Sequence, residues 1–573
     1  MSGSSNWDEV VDFLVVGSGA AGLTGAVIAH DHGAQCLVIE KSASYGGATA
    51  ISGGAIWVPL NDLMTEAGVR DSFAEALAYL EEATAGSSST ERLTRYLEEA
   101  PVMVRYLDKN THVRFESVLG YPDYYPEAAG GSAGGRTIEP ARFNAMELGD
   151  EFSRMRPLPH DYRMPFLSVR SQDVRMFITG GFPVYRFVLG SAFRYYTNLK
   201  ARFKGLGNTR LTLGRALVGR LRLSLLDRDV PILLNTQLRE LVVENGRVVG
   251  VVAERDGEPL RIRADRGVLL AAGGFEKNAE MRMRYQPAPV GAEWTAGPDP
   301  NVGDTMAIGE RVGASFDLLD DAWWAPVMRG PDEHAPWVMV IEKGLPGGMI
   351  VNGLGERYMN EAAPYNDVVK SMYAANRPDA PTMPSYLIFD STFRKRYPIG
   401  SVEPSYSTPD SKLSPEQRKF ITIDDTLAGL AGRIGVDPER LTKSVLRQND
   451  FARKGDDLDF GRGRSLQDRY YGDSRVGPNP CLAPIEKPPF YSVEVQAGDL
   501  GTKGGLRTNP DGRVLRGDDT LIEGLYAAGN CSASVMGTTY PGAGGTIGPA
   551  MTFAWVAARH ALGADQEPIG NGN

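Results

Sequence analysis

The chain of 573 residues is long enough for several domains, and its 42% hydrophobic and 23% charged residues are ordinary for a soluble globular protein. Its formal net charge of −10 at pH 7 argues against a nucleic-acid-binding protein. The three cysteines (Cys36, Cys481, Cys531) lie far apart, so the sequence predicts neither a disulfide framework nor a metal site. It predicts no signal peptide, because no basic segment precedes the first apolar run. It predicts no membrane span, because no apolar run approaches roughly 18 residues.

The first forty residues are typical of a strand, a glycine turn, a helix and a second strand. The apolar run FLVV predicts a buried parallel strand, and Gly17, Gly19 and Gly22 form G-x-G-x-x-G directly after it. The second run, CLVI, ends before Glu40, which is placed to hydrogen-bond a ribose hydroxyl while the helix N-terminus receives a pyrophosphate. This combination predicts a dinucleotide cofactor, and the motif alone does not separate NAD from FAD.

Three further segments favour FAD. The loop SASYGGATAISGG (42–54) offers backbone donors and small side chains that suit the edge of an isoalloxazine ring. RGVLLAAGG (266–274) and TLIEGLYAAGN (520–530) each predict a buried strand that ends in small residues. Strand ends of this kind, spread along the chain, suit a long cofactor that lies over one sheet.

Together with GDLGTKGG (498–505), these motifs resemble the flavoprotein family of fumarate reductases and 3-ketosteroid dehydrogenases, from about residue 10 to about residue 560. The resemblance implies an α/β fold in which a doubly wound, Rossmann-like FAD-binding domain is interrupted by an α+β catalytic capping domain. A change to Trp-, Met- and Pro-rich sequence from about 320 places the capping domain at 326–490, with the FAD-binding domain at 1–325 and 491–573.

The motifs and the resemblance together predict where FAD is bound. The predicted contact residues are Gly17, Ser18, Gly19, Ala20, Ala21, Gly22, Glu40, Lys41, Gly47, Ala48, Thr49, Ser52, Gly53, Gly54, Leu238, Ala272, Gly273, Gly529, Asn530, Thr546 and Ile547. Residues 545–549, GTIGP, are expected to turn beneath the flavin at a helix N-terminus, whose dipole favours negative charge on the ring.

Histidine usage distinguishes between branches of the family. Fumarate-reducing members hold two carboxylates with histidines and arginines, whereas this chain carries Gly501 where those enzymes carry a histidine. None of its six histidines falls in the glycine-rich loops. A dicarboxylate site is therefore disfavoured.

Three motifs resemble the 3-ketosteroid 1-dehydrogenases: PDYYPE (122–127), APYND (363–367) and TYPGAG (539–544). The resemblance implies that Tyr365 is the base, that Tyr124 supports it, and that Tyr540 and Gly544 bind the ketone at carbon 3. Ala543 departs from the family pattern, in which proline is frequent, but it leaves both donors in place. Lys503, between glycines, is expected to be solvated and is assigned no role.

The implied reaction is 1,2-dehydrogenation of a 3-keto-4-ene steroid during steroid or sterol degradation. A base takes the carbon 2 proton, which is acidic because the ketone can become an enolate, and flavin N5 takes the hydride from carbon 1. The alternatives are a 3-ketosteroid 4-dehydrogenase, whose loop near the C-terminus differs from TYPGAG, a fumarate-reductase-like enzyme and a flavin-binding protein without catalysis.

A basic segment stands out at 163–226, which holds twelve basic residues against one acidic residue, Asp173. Its part near 165–205 resembles an insertion and interleaves aromatic side chains with Arg and Lys. This pattern is typical of contact with an anionic membrane surface, and an oligomer contact or a solvated basic loop is the alternative. We expect a cytoplasmic protein, with contact at the inner face of the cell membrane as a hypothesis. The sequence does not identify the electron acceptor, for which a quinone is one candidate.

Overall fold

The computed structural model describes residues 7–159, 166–329 and 336–565. In chain order the strands are β1 (Glu9–Val16), β2 (Cys36–Ile39), β3 (Ile56–Trp57), β4 (Phe115–Ser117), β5 (Thr137–Pro140), β6 (Phe143–Asn144), β7 (Arg210–Leu211), β8 (Ile232–Leu233), β9 (Thr236–Glu244), β10 (Arg247–Arg255), β11 (Glu258–Leu270), β12 (Phe316–Asp317), β13 (Ala322–Met328), β14 (Trp337–Val338), β15 (Gly348–Val351), β16 (Ser385–Asp390), β17 (Thr422–Asp424), β18 (Phe490–Thr502), β19 (Gly505–Leu506), β20 (Arg513–Leu515) and β21 (Leu521–Ala527).

The α-helices of the described residues are α1 (Ala20–Asp31), α2 (Asp62–Glu66), α3 (Phe73–Thr84), α4 (Thr90–Asn110), α5 (Val174–Thr179), α6 (Phe182–Thr197), α7 (Leu199–Phe203), α8 (Leu213–Leu226), α9 (Ala279–Tyr285), α10 (Asp304–Arg311), α11 (Tyr365–Ala375), α12 (Ser391–Arg396), α13 (Pro415–Phe420), α14 (Leu427–Ile434), α15 (Pro438–Lys454), α16 (Leu466–Tyr470) and α17 (Ile547–Leu562).

One mixed sheet carries the predicted nucleotide-binding segments. β1 pairs in parallel with β2 and β11, β2 pairs in parallel with β8, and β11 pairs in parallel with β21. β9 and β10 extend the sheet as an antiparallel meander beside β11, and β20 is antiparallel to β21. The carboxyl ends of β1, β2, β11 and β21 open at one edge, where ligands bind in doubly wound sheets. The doubly wound domain predicted from the sequence is confirmed.

Small residues let α1 lie close to this sheet. α1 packs against α17 and α8, and a Cβ atom added at Gly25 would lie 2.6 Å from the Leu269 side chain of β11. The core beneath the helix includes Phe13, Val15 and Leu269, none of which is exposed. Burying each such side chain contributes about 1.5–3 kcal/mol, so packing fixes the start of α1 against the sheet edge.

A second, antiparallel sheet of six strands forms the centre of the capping region. Its order is β14–β13–β18–β16–β15, and β17 also pairs with β18. Helix α11 packs against β13 and β18 on this sheet. The mixture of an antiparallel sheet and helices confirms the α+β cap. The expected boundary at 325/326 falls inside β13 and that at 490/491 inside β18, and the exact boundaries stay a prediction.

The sequence also predicts a helix at 211–226, a loop and a helix at 300–316 and a helix at 424–436, and α8, α10 and α14 are present there. The last of them, α14, begins at Leu427 because the Thr426 side chain accepts a hydrogen bond from the Gly429 amide. It ends at Ile434 because Gly435 takes the left-handed conformation, with φ 77°. The apolar spacing therefore found the helix, and the capping residues moved its ends inward.

The basic insertion is helical in its described part. Residues 166–205 contain α5, α6 and α7, whereas Arg163 and Pro165 lie outside the described residues. One face of α6 presents an aromatic stripe to solvent, with side chains 63–77% exposed: Phe182, Tyr185, Leu189, Phe193 and Tyr196. Among the described residues, no helix combines the length and the apolar character that crossing a membrane requires.

Candidate active site

The G-x-G-x-x-G turn lies between β1 and α1. Gly17 has φ +105°, and a Cβ atom there would lie 2.4 Å from the Ala271 carbonyl oxygen. Gly19 caps α1 without a side-chain hydrogen bond, and the first turn of α1 holds no acidic residue. These features leave a tight, uncharged helix N-terminus that suits a pyrophosphate.

Glu40 lies where the sequence predicts it, at the carboxyl end of β2. Its Oε2 atom accepts hydrogen bonds from Ser18 Oγ at 2.6 Å and from the Ser18 amide at 3.2 Å. Its Oε1 atom accepts from the Ser42 amide at 2.8 Å. The carboxylate is thus held in one orientation beside the glycine turn, in agreement with a position at the ribose.

The loop at 42–54 lies across the start of α1. Thr49 Oγ1 accepts a hydrogen bond from the Ala20 amide at 3.0 Å, which ties this loop to the helix N-terminus. Gly54 has φ +67°, and a Cβ atom there would lie 2.3 Å from the Gly214 amide nitrogen of α8. The loop therefore follows a path that only glycine permits at that position.

One cavity of about 540 Å³ joins these segments. It is lined by every predicted cofactor residue except Gly22: Gly17, Ser18, Gly19, Ala20, Ala21, Glu40, Lys41, Gly47, Ala48, Thr49, Ser52, Gly53, Gly54, Leu238, Ala272, Gly273, Gly529, Asn530, Thr546 and Ile547. Gly22 instead packs α1 against the turn, because a Cβ atom there would lie 2.0 Å from the Gly17 carbonyl oxygen. The same cavity is lined by Tyr124, Tyr365, Tyr540 and Gly544.

The three predicted tyrosines form one cluster at the end of this cavity. The ring centroids of Tyr124 and Tyr365 are 5.5 Å apart, and the ring of Tyr540 lies 5.2 Å from each. Tyr365 is the first residue of α11, while Tyr124 and Tyr540 lie on loops. All three side chains are at most 8% exposed, so segments far apart in the chain bring three phenols together.

Burial sets the acidity of these phenols. It raises the pKa of Tyr365 well above its usual value, and hydrogen bonding with Tyr124 acts in the opposite direction. It also raises the pKa of Tyr540, which hydrogen bonds with Tyr365 and Thr546 lower. A neutral phenol is therefore the resting form of each, and the base needs a neighbour that can take its proton.

The loop 536–549 is held by bonds to its backbone. The Pro541 carbonyl oxygen accepts from the Tyr124 amide at 2.9 Å and from Tyr79 Oη at 2.5 Å. Gly544 has φ +96°, and a Cβ atom there would lie 2.4 Å from the Ile56 Cα atom. The buried Gly544 amide donates to no described residue. An unpaired buried amide that lines a cavity is suited to bind a ligand oxygen.

Lys503 is buried, contrary to the expectation that it is solvated. Its Nζ atom lies 3.3 Å from Asp321 Oδ2 and 4.9 Å from the centre of the Trp323 ring. Burial lowers the pKa of Lys503 to about 8, while Asp321 raises it. Trp323 packs against Tyr540 with ring centroids 4.8 Å apart, so Lys503 supports the cluster from behind.

Sequence reasoning missed several residues of the cavity wall. Tyr121 and Tyr471 line it beside Tyr124, and Trp337, Val338 and Leu500 supply apolar surface. Tyr121 stands three positions before Tyr124, so the aromatic run YPDYY was an available signal. Tyr471 had no such signal, because its approach to Tyr121 joins residues 350 positions apart.

Glycine turns at the ends of parallel strands, an uncharged helix N-terminus and one cavity that joins these segments fit FAD, and they define an FAD-dependent oxidoreductase. The described residues that would hold the cofactor are the backbone of the Gly17–Gly19 turn, Glu40 and the start of α17, whose first turn carries no acidic residue. The sequence pattern of the FAD binding domain family matches residues 12–547.

The chain is 44% identical over 558 residues to the 3-oxosteroid 1-dehydrogenase of Mycobacterium tuberculosis, with 96% of this chain and 98% of that protein covered. It is also 44% identical to the 3-ketosteroid delta1-dehydrogenase of Sterolibacterium denitrificans, solved in complex with 1,4-androstadiene-3,17-dione, with a TM-score of 0.93 over 97% of this chain and 100% of that chain. The 3-ketosteroid-delta4-(5alpha)-dehydrogenase of Rhodococcus jostii shares the fold at 20% identity, with a TM-score of 0.65 over 98% of both chains. The chain belongs to the FAD-binding flavoprotein family, in the group that contains the 3-oxosteroid 1-dehydrogenases.

Proposed function

We propose that the protein removes hydrogens from carbons 1 and 2 of 3-keto-4-ene steroids. One observation carries this proposal: three buried tyrosines and an unpaired glycine amide meet at the end of the cavity that the cofactor loops line. The relatives at 44% identity, which are 3-oxosteroid or 3-ketosteroid 1-dehydrogenases, support it. When bound, FAD supplies the acceptor for the hydride from carbon 1.

The ketone of the substrate is bound by Tyr540 and Gly544. A hydroxyl and an amide aimed at one oxygen stabilise the charge that develops as the enolate forms, with about 2.7–4 kcal/mol for each donor in comparable sites. Both groups belong to the loop that Tyr79 and Tyr124 hold by its backbone, so their spacing is fixed before the substrate arrives. The wall near Val338 and Leu500 is apolar, as a steroid skeleton requires.

Tyr365 takes the proton from carbon 2. It is the first residue of α11 and packs against both Tyr124 and Tyr540, so a ketone bound at Tyr540 brings the adjacent carbon towards its hydroxyl. Tyr124 supports this role because hydrogen bonding from it favours the ionised form of Tyr365.

Product analysis tests the reaction. The purified holoenzyme is incubated with androst-4-ene-3,17-dione and an artificial electron acceptor, and the steroids are separated by mass and retention time. We expect androsta-1,4-diene-3,17-dione. If this product is absent and the enzyme reduces fumarate, the activity is that of a fumarate reductase. If it is absent and the enzyme dehydrogenates a saturated 3-ketosteroid at carbons 4 and 5, the activity is that of a 3-ketosteroid 4-dehydrogenase.

We further propose that the protein meets the inner face of the cell membrane through α6. The aromatic stripe is exposed, and Arg186, Arg194, Lys200 and Arg202 stand on α6 and α7 near it. Aromatic and aliphatic side chains enter the headgroup region while basic side chains meet anionic lipid. The neighbouring segment contributes Val169 and Val174 to the cavity wall, which favours a steroid entering from that side.

Sedimentation with lipid vesicles tests the membrane contact. The variant F182S/L189S/F193S should lose binding to vesicles with anionic lipid, while Y406S/L446S/L458S, which removes equally exposed apolar side chains elsewhere, should bind as the wild type does. Equal binding by both variants would reject the contact.

A quinone dissolved in the same membrane is the electron acceptor that this arrangement favours. Reduction of a soluble quinone by the steroid-reduced enzyme tests this proposal.

A further inference from the structure

We infer that Tyr125 is a positioning residue for the dehydrogenation. Its hydroxyl joins the three chain segments that carry the tyrosine cluster, which consists of Tyr124, Tyr365 and Tyr540. It thereby sets the spacing between the proposed base and the proposed ketone donor. Tyr125 lies outside the wall of the cavity, so it acts on the substrate only through its neighbours. The inference rests on the function proposed above and gives a role to a residue that the sequence motifs leave without one.

The substrate fixes how far the base must lie from the ketone donor. In the rigid ring A of a 3-keto-4-ene steroid, the ketone oxygen and carbon 2 are held at one separation. Tyr540 must therefore bind the oxygen while Tyr365 stands beside carbon 2, and a misplacement of about 1 Å can cost about 10²-fold in rate. The ring centroids of these two tyrosines are 5.2 Å apart. Ring contacts tolerate a range of distances, so a more directional contact is needed to fix this spacing.

The Tyr125 hydroxyl makes directional contacts on both sides. It donates a hydrogen bond to Asp367 Oδ1 at 3.0 Å. It accepts a hydrogen bond from Thr539 Oγ1 at 3.3 Å. Each of these three residues is next to, or two positions from, one member of the tyrosine cluster in the chain. The pairs are Tyr124 with Tyr125, Tyr365 with Asp367, and Tyr540 with Thr539.

The direction of these hydrogen bonds follows from the charges around them. Burial raises the pKa of Tyr125 and the charge of Asp367 raises it further, so the phenol keeps its proton. That single proton is donated to Asp367, because an ionised carboxylate only accepts, and the phenol oxygen is left to accept from Thr539. Burial raises the pKa of Asp367, whereas the hydrogen bonds from Tyr125 and Asn366 and the charge of Lys370 lower it. The contact thus favours the ionised carboxylate and holds the phenol in one orientation.

Other contacts between these segments remain when the Tyr125 hydroxyl is removed. The Tyr124 amide donates to the Pro541 carbonyl oxygen at 2.9 Å, and Lys370 of α11 donates to the Thr538 carbonyl oxygen. The Tyr125 ring packs against the hydrophobic core, and phenylalanine preserves that packing. The Lys370 side chain is 40% exposed, and a long exposed side chain holds one geometry only weakly. We therefore expect Tyr125→Phe to fold and to bind FAD while the spacing within the tyrosine cluster becomes less fixed.

Tyr125→Phe removes the hydroxyl and keeps the ring. Anaerobic mixing of the holoenzyme with androst-4-ene-3,17-dione measures the rate of flavin bleaching and the half-saturating steroid concentration. We expect the rate to fall by about 10–10²-fold, because the base no longer stands at a fixed place beside carbon 2. The half-saturating concentration should stay within about twofold of the wild-type value, because Tyr540 and Gly544 still bind the ketone. A changed half-saturating concentration with an unchanged rate would overturn the positioning role.

Tyr106→Phe is the matched control. Tyr106 Oη donates to Asp31 Oδ2 at 3.0 Å, which is the same kind of contact at the same distance. Asp31 is the last residue of α1, at the opposite end of that helix from the glycine turn. This variant should leave the bleaching rate and the half-saturating concentration unchanged. An equal loss of rate in Tyr106→Phe would show that removing any such phenol slows the enzyme, and would overturn the inference.

Thr539 tests the other side of the same hydroxyl. Thr539→Val removes the donor to Tyr125 and should slow bleaching, whereas Thr539→Ser keeps a hydroxyl and should match the wild type. The double variant Tyr125→Phe/Thr539→Val should be no slower than Tyr125→Phe, because both changes break one connection. Multiplied losses in the double variant would overturn the inference.

Two further outcomes separate the inference from the function on which it rests. Should Tyr125→Phe lose FAD, the two Thr539 variants decide, and equal rates in Thr539→Val and Thr539→Ser would overturn the positioning role. No bleaching of the wild type by the steroid would reject the proposed function instead.

Discussion

The two ends of the cavity are built in different ways. At the cofactor end each segment follows its own strand, so the turn after β1, Glu40 after β2 and the small residues after β11 and β21 meet because the strands are parallel. At the substrate end, Tyr124, Tyr365 and Tyr540 come from three distant segments that only tertiary packing joins. Substitutions at the cofactor end should therefore weaken FAD binding, whereas substitutions at the substrate end should lower turnover and leave FAD bound.

Tyr365→Phe should give the largest effect. Removal of the hydroxyl that we propose takes the carbon 2 proton should lower steroid turnover by about 10²–10⁴-fold, the usual contribution of a general base. FAD occupancy, measured from the visible absorbance of the purified protein, should stay at the wild-type level, because Tyr365 is a capping-region residue remote from the glycine turn. Turnover close to wild type would refute the assignment of the base.

Tyr540→Phe should follow, with a loss of about 10²–10³-fold in kcat, as expected when one donor to an oxyanion is removed. Thr137→Val offers a matched control, because Thr137 Oγ1 also bonds this loop, at the Ala543 carbonyl oxygen at 3.1 Å, without belonging to the cluster. We expect the control to keep most of the turnover. Equal losses in both variants would mean that Tyr540 acts only by shaping the loop.

The residues predicted for the cofactor end line one cavity because their sequence signals are local. A strand, a glycine turn and an acid at the end of the next strand are all read within forty residues, and the structure brings them to one edge. Gly22 shows the limit of such a motif, because its pattern is right while its contact is with the Gly17 carbonyl rather than with the cavity.

The substrate end could be predicted only through resemblance, because its contacts join distant segments. The motifs located Tyr365 and Tyr540, but nothing near Tyr471 in the sequence indicates that its hydroxyl bonds that of Tyr121. Lys503 was misjudged for the same reason. The glycines near it, Gly501, Gly504 and Gly505, suggest exposure, whereas Asp321, which pairs with it, stands 182 positions earlier.

Gly22→Ala tests the cofactor end without touching the cavity. A methyl group 2.0 Å from the Gly17 carbonyl oxygen must displace α1 or the turn, so the purified protein should hold less FAD and unfold at a lower temperature. FAD restored in excess should recover much of the turnover, because the tyrosines are unaffected. Gly517→Ala, where a Cβ atom meets nothing within 4 Å, should match the wild type in both measurements.

Lys503→Met should give the smallest effect and links the substrate end to pH. Because burial lowers the pKa of Lys503 to about 8 from 10.5, the unfolded chain binds more protons than the folded protein between these pH values. The free energy of unfolding of the wild type should therefore rise, relative to that of the variant, as pH increases from 7.5 to 9.5. Urea unfolding of both proteins at the two pH values measures this.

Lys370→Met provides the control for that measurement. Lys370 Nζ lies 3.7 Å from the same Asp321 carboxylate, and its side chain is 40% exposed. Its positive charge adds to the burial that lowers the pKa of Lys503, so its removal should weaken the wild-type pH dependence without abolishing it. The Lys503 variant should also turn over steroid a few-fold more slowly, because it removes the cation under the Trp323 ring that packs on Tyr540. If the free energies of unfolding of the wild type and the Lys503 variant differ by the same amount at both pH values, Lys503 stays charged throughout. Its role would then be the ion pair with Asp321 alone.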